Sequence, residues 1–377
     1  MRKISDTIAR LSALRAHQGL MRSTPHGYDR LTALNNFGSN PGSLSAWCHI
    51  PEKLRRSAPL VVVLHGCTQT AGVYDHHSGW SRLADEAEFA VLYPEQHRSN
   101  NPNLCFNWFQ PDDVARGRGE ALSIHQMIKA TIEIHGLDPR RVYVTGLSAG
   151  GAMAGAMLAS YPEVFAGGAI LSGLAFGTAI TVSQAFDRLR GHGNPPPEVL
   201  QRLLREASEH KGPWPRISIW QGDADSTVDA TNASAIASQW LGVHQIARAP
   251  VHSHNTTRHH RQSWLDDSGA SVLELNVIKG MGHGAPLDTA RLGAAGPFML
   301  DVGISSTHAI TQFWNIADGR SDSADLTPDR TRVSSGDDRQ LHSDQSRINR
   351  RRASPEGAAS GVHKVIEDAL RSVGLMR

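Results

Sequence analysis

The sequence has no long apolar run, almost no net charge and only three cysteines. Charged residues or glycines interrupt every apolar run well before the roughly 20 residues that a membrane-spanning helix needs. Lys and Arg number 38 against 36 Asp and Glu, and a formal net charge of +2 provides no one-signed field to attract nucleic acid. We therefore expect neither a membrane span nor a nucleic-acid partner.

The sequence also lacks the spacing of a metal site. Cys48, Cys67 and Cys105 allow at most one internal disulfide. A dense group of histidines follows later in the chain: His252, His254, His259 and His260. This group has no Cys or acidic residue at a ligand spacing, so we interpret it as a solvated loop and predict no metal.

The N-terminal segment lacks the uninterrupted apolar stretch of an export signal. Ile4, Ile8, Leu11 and Leu14 instead recur at steps of four and three residues. This period predicts an amphipathic helix over residues 1–20 that packs on the main body of the protein.

Short apolar runs alternate with helical periods through the middle of the chain. Six runs bounded by Gly, Pro or His predict buried strands: Leu60–Leu64, Ala90–Tyr93, Val142–Thr145, Ala169–Leu171, Ile217–Trp220 and Val272–Ile278. Helical periods lie between them, as in Ala121, Ile124, Ile128 and Ile132. The alternation predicts an α/β fold with a mostly parallel, doubly wound sheet, whose functional loops lie at the carboxyl ends of the strands.

The same patterns divide the chain into segments. Residues 21–317 form one predicted catalytic domain. Within it, residues 174–215 make a proline-bracketed insertion, which is either a helical lid or a structural excursion. Residues 318–360 contain few large apolar side chains and predict a disordered linker. Apolar positions on one helical face predict a C-terminal helix over residues 361–377.

The strongest chemical signal is a G-x-S-x-G motif at Gly146–Gly150. It follows the predicted strand Val142–Thr145 and precedes a helical stretch, which is the setting of a tight turn that lifts a serine hydroxyl above a sheet. The flanking glycines suit a backbone that approaches its neighbours too closely for side chains. Ser148 is therefore the candidate nucleophile.

A nucleophilic serine needs a base and a carboxylate that orients the base, here in the chain order Ser, acid, His. Asp223, Asp225 and Asp229 follow the predicted strand Ile217–Trp220. We favour Asp225, whose place within the turn suits an acid that points sideways to a histidine. Next to Gly222, Asp223 better suits a role in stabilising the loop. After the last predicted strand, His283 lies between glycines and is the candidate base.

Acyl transfer also needs backbone N–H groups directed at the developing oxyanion. The residue after the nucleophile, Ala149, supplies one of them. The second is expected from the loop after the first core strand, His65–Thr70, and we assign it to the N–H of Cys67. This chemistry requires no cofactor.

Together, these segments resemble esterases of the polyhydroxybutyrate depolymerase type. The matching segments are LHGCTQTA at 64–71, VLYPEQ at 91–96, CFNWF at 105–109, VYVTGLSAGGAM at 142–153, YPEVFAGGAILSGL at 161–174, GPWPRISIWQGDADSTV at 212–228 and GMGHGAP at 280–286. The resemblance implies an α/β-hydrolase fold, a triad of Ser148, Asp225 and His283, and hydrolysis of ester bonds in poly- or oligo-(3-hydroxyalkanoates).

The resemblance implies three further features. It pairs Cys67 with Cys105 in a disulfide, which leaves Cys48 free. It makes Asn107 and Trp108 lining residues of the substrate cleft, although a buried structural role is equally open for Trp108. It also implies an extracellular enzyme, whereas the N-terminal segment argues for a cytoplasmic one.

Substrate class stays open at this stage. Secreted polymer-degrading members of the family carry a signal peptide and a polymer-adsorbing domain, neither of which this sequence shows. Soluble oligomers or small acyl and aryl esters are therefore the expected substrates. The alternative is a feruloyl, acetylxylan or general short-chain carboxylesterase. A binding protein on a degenerate hydrolase fold is disfavoured by the ordered triad.

Overall fold

The computed structural model describes residues 28–246 and 249–316. The predicted N-terminal helix at 1–20, the linker at 318–360 and the C-terminal helix at 361–377 lie outside the described residues.

A ten-stranded mixed sheet forms the centre of the fold. Its strands are β1 (Thr32–Ala33), β2 (Ser45–His49), β3 (Leu60–Leu64), β4 (Ala90–Glu95), β5 (Val142–Leu147), β6 (Gly167–Leu171), β7 (Arg216–Gly222), β8 (His252–Asn255), β9 (His259–Leu265) and β10 (Ser271–Ile278). They lie in the order β1-β2-β4-β3-β5-β6-β7-β10-β9-β8. The central six, from β4 to β10, run parallel, and the outer pairs on both sides are antiparallel. A separate small sheet pairs β11 (Ala285–Leu287) with β12 (Met299–Asp301).

The six predicted strands are the six central parallel strands, so the predicted α/β class and sheet type are confirmed. These strands are covered on both faces and consist almost entirely of buried residues. Burial on both faces is the reason that each appears in the sequence as a continuous apolar run.

Helices cover the two faces of the sheet. They are α1 (Ala71–Ser78), α2 (Trp80–Ala87), α3 (Pro111–Val114), α4 (Gly119–His135), α5 (Ala149–Ser160), α6 (Val182–Leu189), α7 (Pro197–Glu206), α8 (Thr231–Val243) and α9 (Ser306–Phe313), with a 3₁₀ turn at Pro162–Val164. Within the two described ranges, no helix is long and apolar enough to cross a bilayer.

Alternate residues of β3 divide the core into two layers. Val62 and Leu64 pack in a cluster with Ile124 of α4. Val61 and Val63 face the opposite way, into a cluster with Trp80 of α2 and residues of α9. The period of two along the strand therefore places α4, α5 and α8 on one face of the sheet and α2 and α9 on the other.

The histidine-rich stretch is not a loop, and that prediction was wrong. It forms β8 and β9, an antiparallel hairpin that extends the sheet from β10. Edge strands expose many side chains, so they carry polar residues and lack the apolar signature of a buried strand. His259 stacks on Trp220 with ring centroids 5.9 Å apart, and one of its ring nitrogens lies 2.9 Å from the Asn276 amide oxygen. In the described part of the chain, no group of three His, Cys, Asp or Glu could hold a metal ion.

The proline-bracketed insertion contains two helices. The apolar positions around Leu200 and Leu204 predict one of them, and these side chains are buried on α7. The other, α6, was not predicted; it buries Val182, Ala185 and Phe186. The insertion therefore packs on the domain through an amphipathic face of each helix.

Candidate active site

The three candidate catalytic residues lie at the carboxyl ends of the central strands. Ser148 follows β5, Asp225 lies in the turn after β7, and His283 follows β10. These strands are parallel members of one sheet, and β10 pairs directly with β7. Their carboxyl ends therefore meet, as expected for an open α/β sheet.

Ser148 occupies a sharp turn between β5 and α5. Its φ of 58° and ψ of −119° are unusual for a residue with a side chain, and its N–H donates to the carbonyl oxygen of Leu171 at 2.9 Å. A Cβ at Gly150 would lie 2.3 Å from the carbonyl oxygen of Leu64, and one at Gly146 would lie 2.3 Å from that of Gly150. Both glycines are therefore required by close backbone contacts, and the strained turn presents the serine hydroxyl.

Asp225 and His283 form a hydrogen-bonded pair. Nδ1 of His283 lies 2.8 Å from Oδ2 of Asp225, in a buried setting. A carboxylate oxygen only accepts, so Nδ1 carries the proton and donates. The lone pair is therefore on Nε2, the nitrogen that can act as a base.

Several donors hold the Asp225 carboxylate in place. Oδ1 accepts the backbone N–H groups of Thr227 at 2.8 Å and Val228 at 2.9 Å, and Oδ2 also accepts Nε2 of Gln221 at 3.2 Å. Burial raises the pKa of Asp225, but the hydrogen bonds from His283 and the two backbone groups outweigh burial and leave this pKa below its usual range. Asp225 is therefore a fixed anion that orients the imidazole.

The two other aspartates of this region have local contacts. Asp223 accepts the N–H of Gly280 through Oδ1 at 2.6 Å and so joins the acid turn to the histidine loop. Asp229 accepts the N–H of Thr231 at 2.9 Å and its hydroxyl at 2.6 Å, at the start of α8. Asp225 is the carboxylate that contacts His283.

The loop after β3 lies beside the nucleophile and is tied down in three ways. A disulfide joins Cys67 to Cys105, and Cys48 is free and buried. The N–H of Thr68 donates to the carbonyl oxygen of Asn103 at 2.6 Å. Nδ1 of His65 donates to the carbonyl oxygen of Gly66 at 2.8 Å.

A narrow cavity opens at Ser148. Its lining is mostly apolar and consists of Cys67, Asn101, Cys105, Phe106, Trp108, Phe109, Ser148, Ala149, Leu174, Ala185 and Leu189. Both residues with candidate oxyanion N–H groups, Cys67 and Ala149, are among them. Helix α6 supplies Ala185 and Leu189, so the insertion forms part of the wall.

Trp108 and Phe109 separate this cavity from a second one of about 340 Å³, which they also line. The second cavity lies between α3 and the insertion, against Phe176 and Leu203. Trp108 therefore lies in the walls of both cavities, and its role in substrate binding stays a prediction.

Asn107 is not among the residues that line the cavity at Ser148, but its Oδ1 accepts Nδ2 of Asn101, which is. The amide of Asn107 donates to Oε1 of Glu120 at 2.8 Å, and its backbone N–H donates to Oε2 at 2.9 Å. The cleft role that the resemblance implies for Asn107 stays a prediction.

Sequence reasoning missed Glu120. It is completely buried in the first turn of α4, and burial raises its pKa to about 8, with the nearby Asp113 adding to the rise and hydrogen bonds from Asn107 and Gln96 opposing it. The sequence offered one signal, an acidic residue at the start of a predicted helix, which indicates a helix N-terminus but not burial.

Comparison with known proteins places this site in context. The family model "Esterase PHB depolymerase" matches residues 48–263. Poly(3-hydroxyalkanoate) depolymerase C from Paucimonas lemoignei is 41% identical over 316 residues, which cover 82% of this chain and 76% of that protein.

Acetylxylan esterases are also similar. An acetylxylan esterase from Coprinopsis cinerea is 31% identical over 264 residues, covering 68% of this chain and 70% of its own. Among solved structures, an acetyl xylan esterase from Aspergillus awamori aligns with a TM-score of 0.66 and 25% identity, over 76% of this chain and 99% of that one. The sheet and flanking helices are accordingly those of an α/β-hydrolase.

Proposed function

Because this chain belongs to the PHB depolymerase family of esterases and is a carboxylic ester hydrolase, we propose that Ser148, His283 and Asp225 are its catalytic triad. The observation that carries the proposal is the 2.8 Å hydrogen bond from His283 to Asp225, which leaves Nε2 of His283 as the base. This pair lies at the same end of the parallel strands as the strained turn of Ser148.

In the proposed reaction, Nε2 of His283 takes the hydroxyl proton as Oγ of Ser148 attacks the ester carbonyl carbon. The N–H groups of Cys67 and Ala149 stabilise the negative charge on the carbonyl oxygen. The imidazolium then gives its proton to the leaving alcohol as the carbon–oxygen bond breaks. Water, deprotonated by the same histidine, attacks the acyl-enzyme and releases the acid together with free Ser148.

We propose esters of 3-hydroxyalkanoates, as oligomers or polymer, as the substrate. The support is the depolymerase of Paucimonas lemoignei, the most extensive match among the relatives reported above, together with the apolar lining of the cavity at Ser148. The similarity to acetylxylan esterases supports the second candidate, an esterase of plant-wall acyl groups.

Two experiments test these proposals. Ser148→Ala should reduce hydrolysis of p-nitrophenyl butyrate by at least about 1,000-fold, because the covalent route is lost; activity within tenfold of the parent would refute the triad. To identify the substrate, release of 3-hydroxybutyrate from its soluble oligomers is compared with release of ferulate from methyl ferulate and of acetate from acetylated xylan. Faster turnover of either plant-wall ester favours the second candidate.

We also propose that the protein acts in an oxidising, extracellular setting, because a disulfide such as Cys67–Cys105 persists there and is rare in the cytosol. Thiol titration of freshly isolated, denatured protein should find one free thiol, that of Cys48. Three free thiols would contradict the proposal.

A further inference from the structure

The buried carboxylate of Glu120 lies behind the cavity wall, where the reaction above gives it no part. It is completely buried at the start of α4. Each oxygen receives donors: Oε1 accepts Nδ2 of Asn107 at 2.8 Å and Nε2 of Gln96 at 2.5 Å, and Oε2 accepts the backbone N–H of Asn107 at 2.9 Å.

One of these donors, Asn107, lies in the segment that forms the wall of the cavity. Both bonds from Asn107 fix the backbone between Cys105 and Trp108, which line the cavity at Ser148. Nε2 of Gln96 reaches the same segment, because it also donates to the carbonyl oxygen of Cys105 at 3.1 Å.

Gln96 also connects Glu120 to the candidate oxyanion loop. The backbone N–H of Gln96 donates to Nε2 of His65 at 3.1 Å, so His65 is neutral with its proton on Nδ1, and burial holds its pKa below the usual range. That Nδ1–H donates to the carbonyl oxygen of Gly66.

The carbonyl of Gly66 and the N–H of Cys67 belong to one peptide group. A trans peptide is planar, and its C=O and N–H point in opposite directions. The hydrogen bond from His65 to Gly66 therefore sets the direction of the Cys67 N–H, and it polarises the peptide so that this N–H is a better donor.

From these contacts we propose that Glu120 is a positioning residue, which holds the Cys105–Trp108 wall through Asn107 and the Cys67 N–H through Gln96 and His65. The proposal rests on the proposed function, because it needs Cys67 to be an oxyanion donor. Glu120 touches no reacting atom; its effect is on the geometry of the groups that do.

Above its pKa of about 8, Glu120 is a carboxylate that glutamine cannot replace. The glutamine amide has one accepting oxygen, so its NH₂ faces either the Asn107 N–H or the pair of side-chain donors. Gln96 cannot reverse its own amide, because its Oε1 already accepts the N–H of His97 at 2.9 Å and Nδ2 of Asn100 at 3.0 Å. Glu120→Gln therefore leaves a buried donor without an acceptor and should displace the neighbouring segments.

The test compares Glu120→Gln with Glu274→Gln. Glu274 is a matched control, because it is equally buried and accepts Ser218 Oγ at 2.5 Å and Nε of Arg261 at 2.8 Å, on strand β10 away from the cavity. For each variant, kcat and KM for p-nitrophenyl butyrate and the inhibition constant of butylboronic acid are measured at pH 9, where Glu120 is ionised, per active site titrated at Ser148. The boronic acid forms a tetrahedral adduct and so reports on the oxyanion donors.

We expect Glu120→Gln to lower kcat at least about tenfold and to raise the inhibition constant of butylboronic acid by a similar factor, because oxyanion donors act in the transition state. Glu274→Gln should lose stability but stay within about twofold in both measurements. If Glu120→Gln keeps parental kcat and boronic acid inhibition, the proposal is refuted, while loss of activity in Ser148→Ala still supports the proposed function.

A second variant covers the case in which Glu120→Gln does not fold. Gln96→Met removes the side-chain bond to Glu120, keeps the backbone bond to His65, and leaves Glu120 bonded to Asn107. This variant should lower kcat and raise the inhibition constant of butylboronic acid, with little change in KM. An unchanged boronic acid inhibition constant would refute the connection to Cys67.

Discussion

The orientation of the Asp225 carboxylate leads to a sharp prediction for Asp225→Asn. Oδ1 accepts two backbone N–H groups, from Thr227 and Val228, so the single oxygen of asparagine must stay at that position. The NH₂ group then takes the place of Oδ2 and faces Nδ1 of His283.

This arrangement reverses the tautomer of the histidine. The asparagine NH₂ donates to Nδ1, the ring proton moves to Nε2, and Nε2 no longer has a lone pair to take the proton of Ser148. The same NH₂ also meets the donor Nε2 of Gln221. Wrong-tautomer variants of serine hydrolases lose about 10⁴ in kcat, or about 5 kcal/mol of transition-state stabilisation. We expect a loss of this size.

The assay is the pre-steady-state and steady-state release of p-nitrophenol from p-nitrophenyl butyrate at pH 7.5. Asp223→Asn is the matched control, because it makes the same change two residues earlier and keeps an oxygen for the N–H of Gly280. It should stay within about threefold of the parent. A kcat for Asp225→Asn within tenfold of the parent, or an equal loss in both variants, would refute the tautomer argument.

Three further outcomes are expected. Replacing both Cys67 and Cys105 by Ala should lower the free energy of unfolding by about 2–5 kcal/mol in urea titrations and reduce kcat. Unchanged values would show that the disulfide stabilises neither the fold nor the loop beside Ser148. Because the pKa of Glu120 is raised from 4.5 to about 8, the free energy of unfolding should fall as pH rises from about 5 to 8. The fall should be smaller in Glu120→Gln. Equal falls in the two proteins would contradict the raised pKa of Glu120. Trp108→Ala should open the wall toward the 340 Å³ cavity and raise the preference for p-nitrophenyl octanoate over butyrate about tenfold; an unchanged ratio would argue against this wall.

The central strands could be predicted from the sequence and the edge strands could not, for one physical reason. Strands buried on both faces, such as β3 and β5, need apolar side chains at every position. The hairpin of β8 and β9 lies at the lateral edge of the sheet. Backbone pairing of β9 with β10 and of β8 with β9 holds polar residues such as Arg261 and His254 in strands. No apolar pattern marks such a segment.

The candidate triad could be located because each member follows a predictable strand. The preference for Asp225 over Asp223 came from loop position, and in the structure Asp225 is the one that contacts His283. Glu120 could not be found in this way. Its hydrogen-bond donors come from Gln96 and Asn107, which precede it by 24 and 13 residues and meet it only in the folded chain.

The most direct test of the account is covalent labelling of the nucleophile. The parent protein is treated with a fluorophosphonate, digested, and its peptides are analysed by mass spectrometry. We predict a single adduct on Ser148, loss of esterase activity in proportion to labelling, and no adduct in Ser148→Ala. An adduct on another residue, or full esterase activity in protein that does not label at Ser148, would contradict the account.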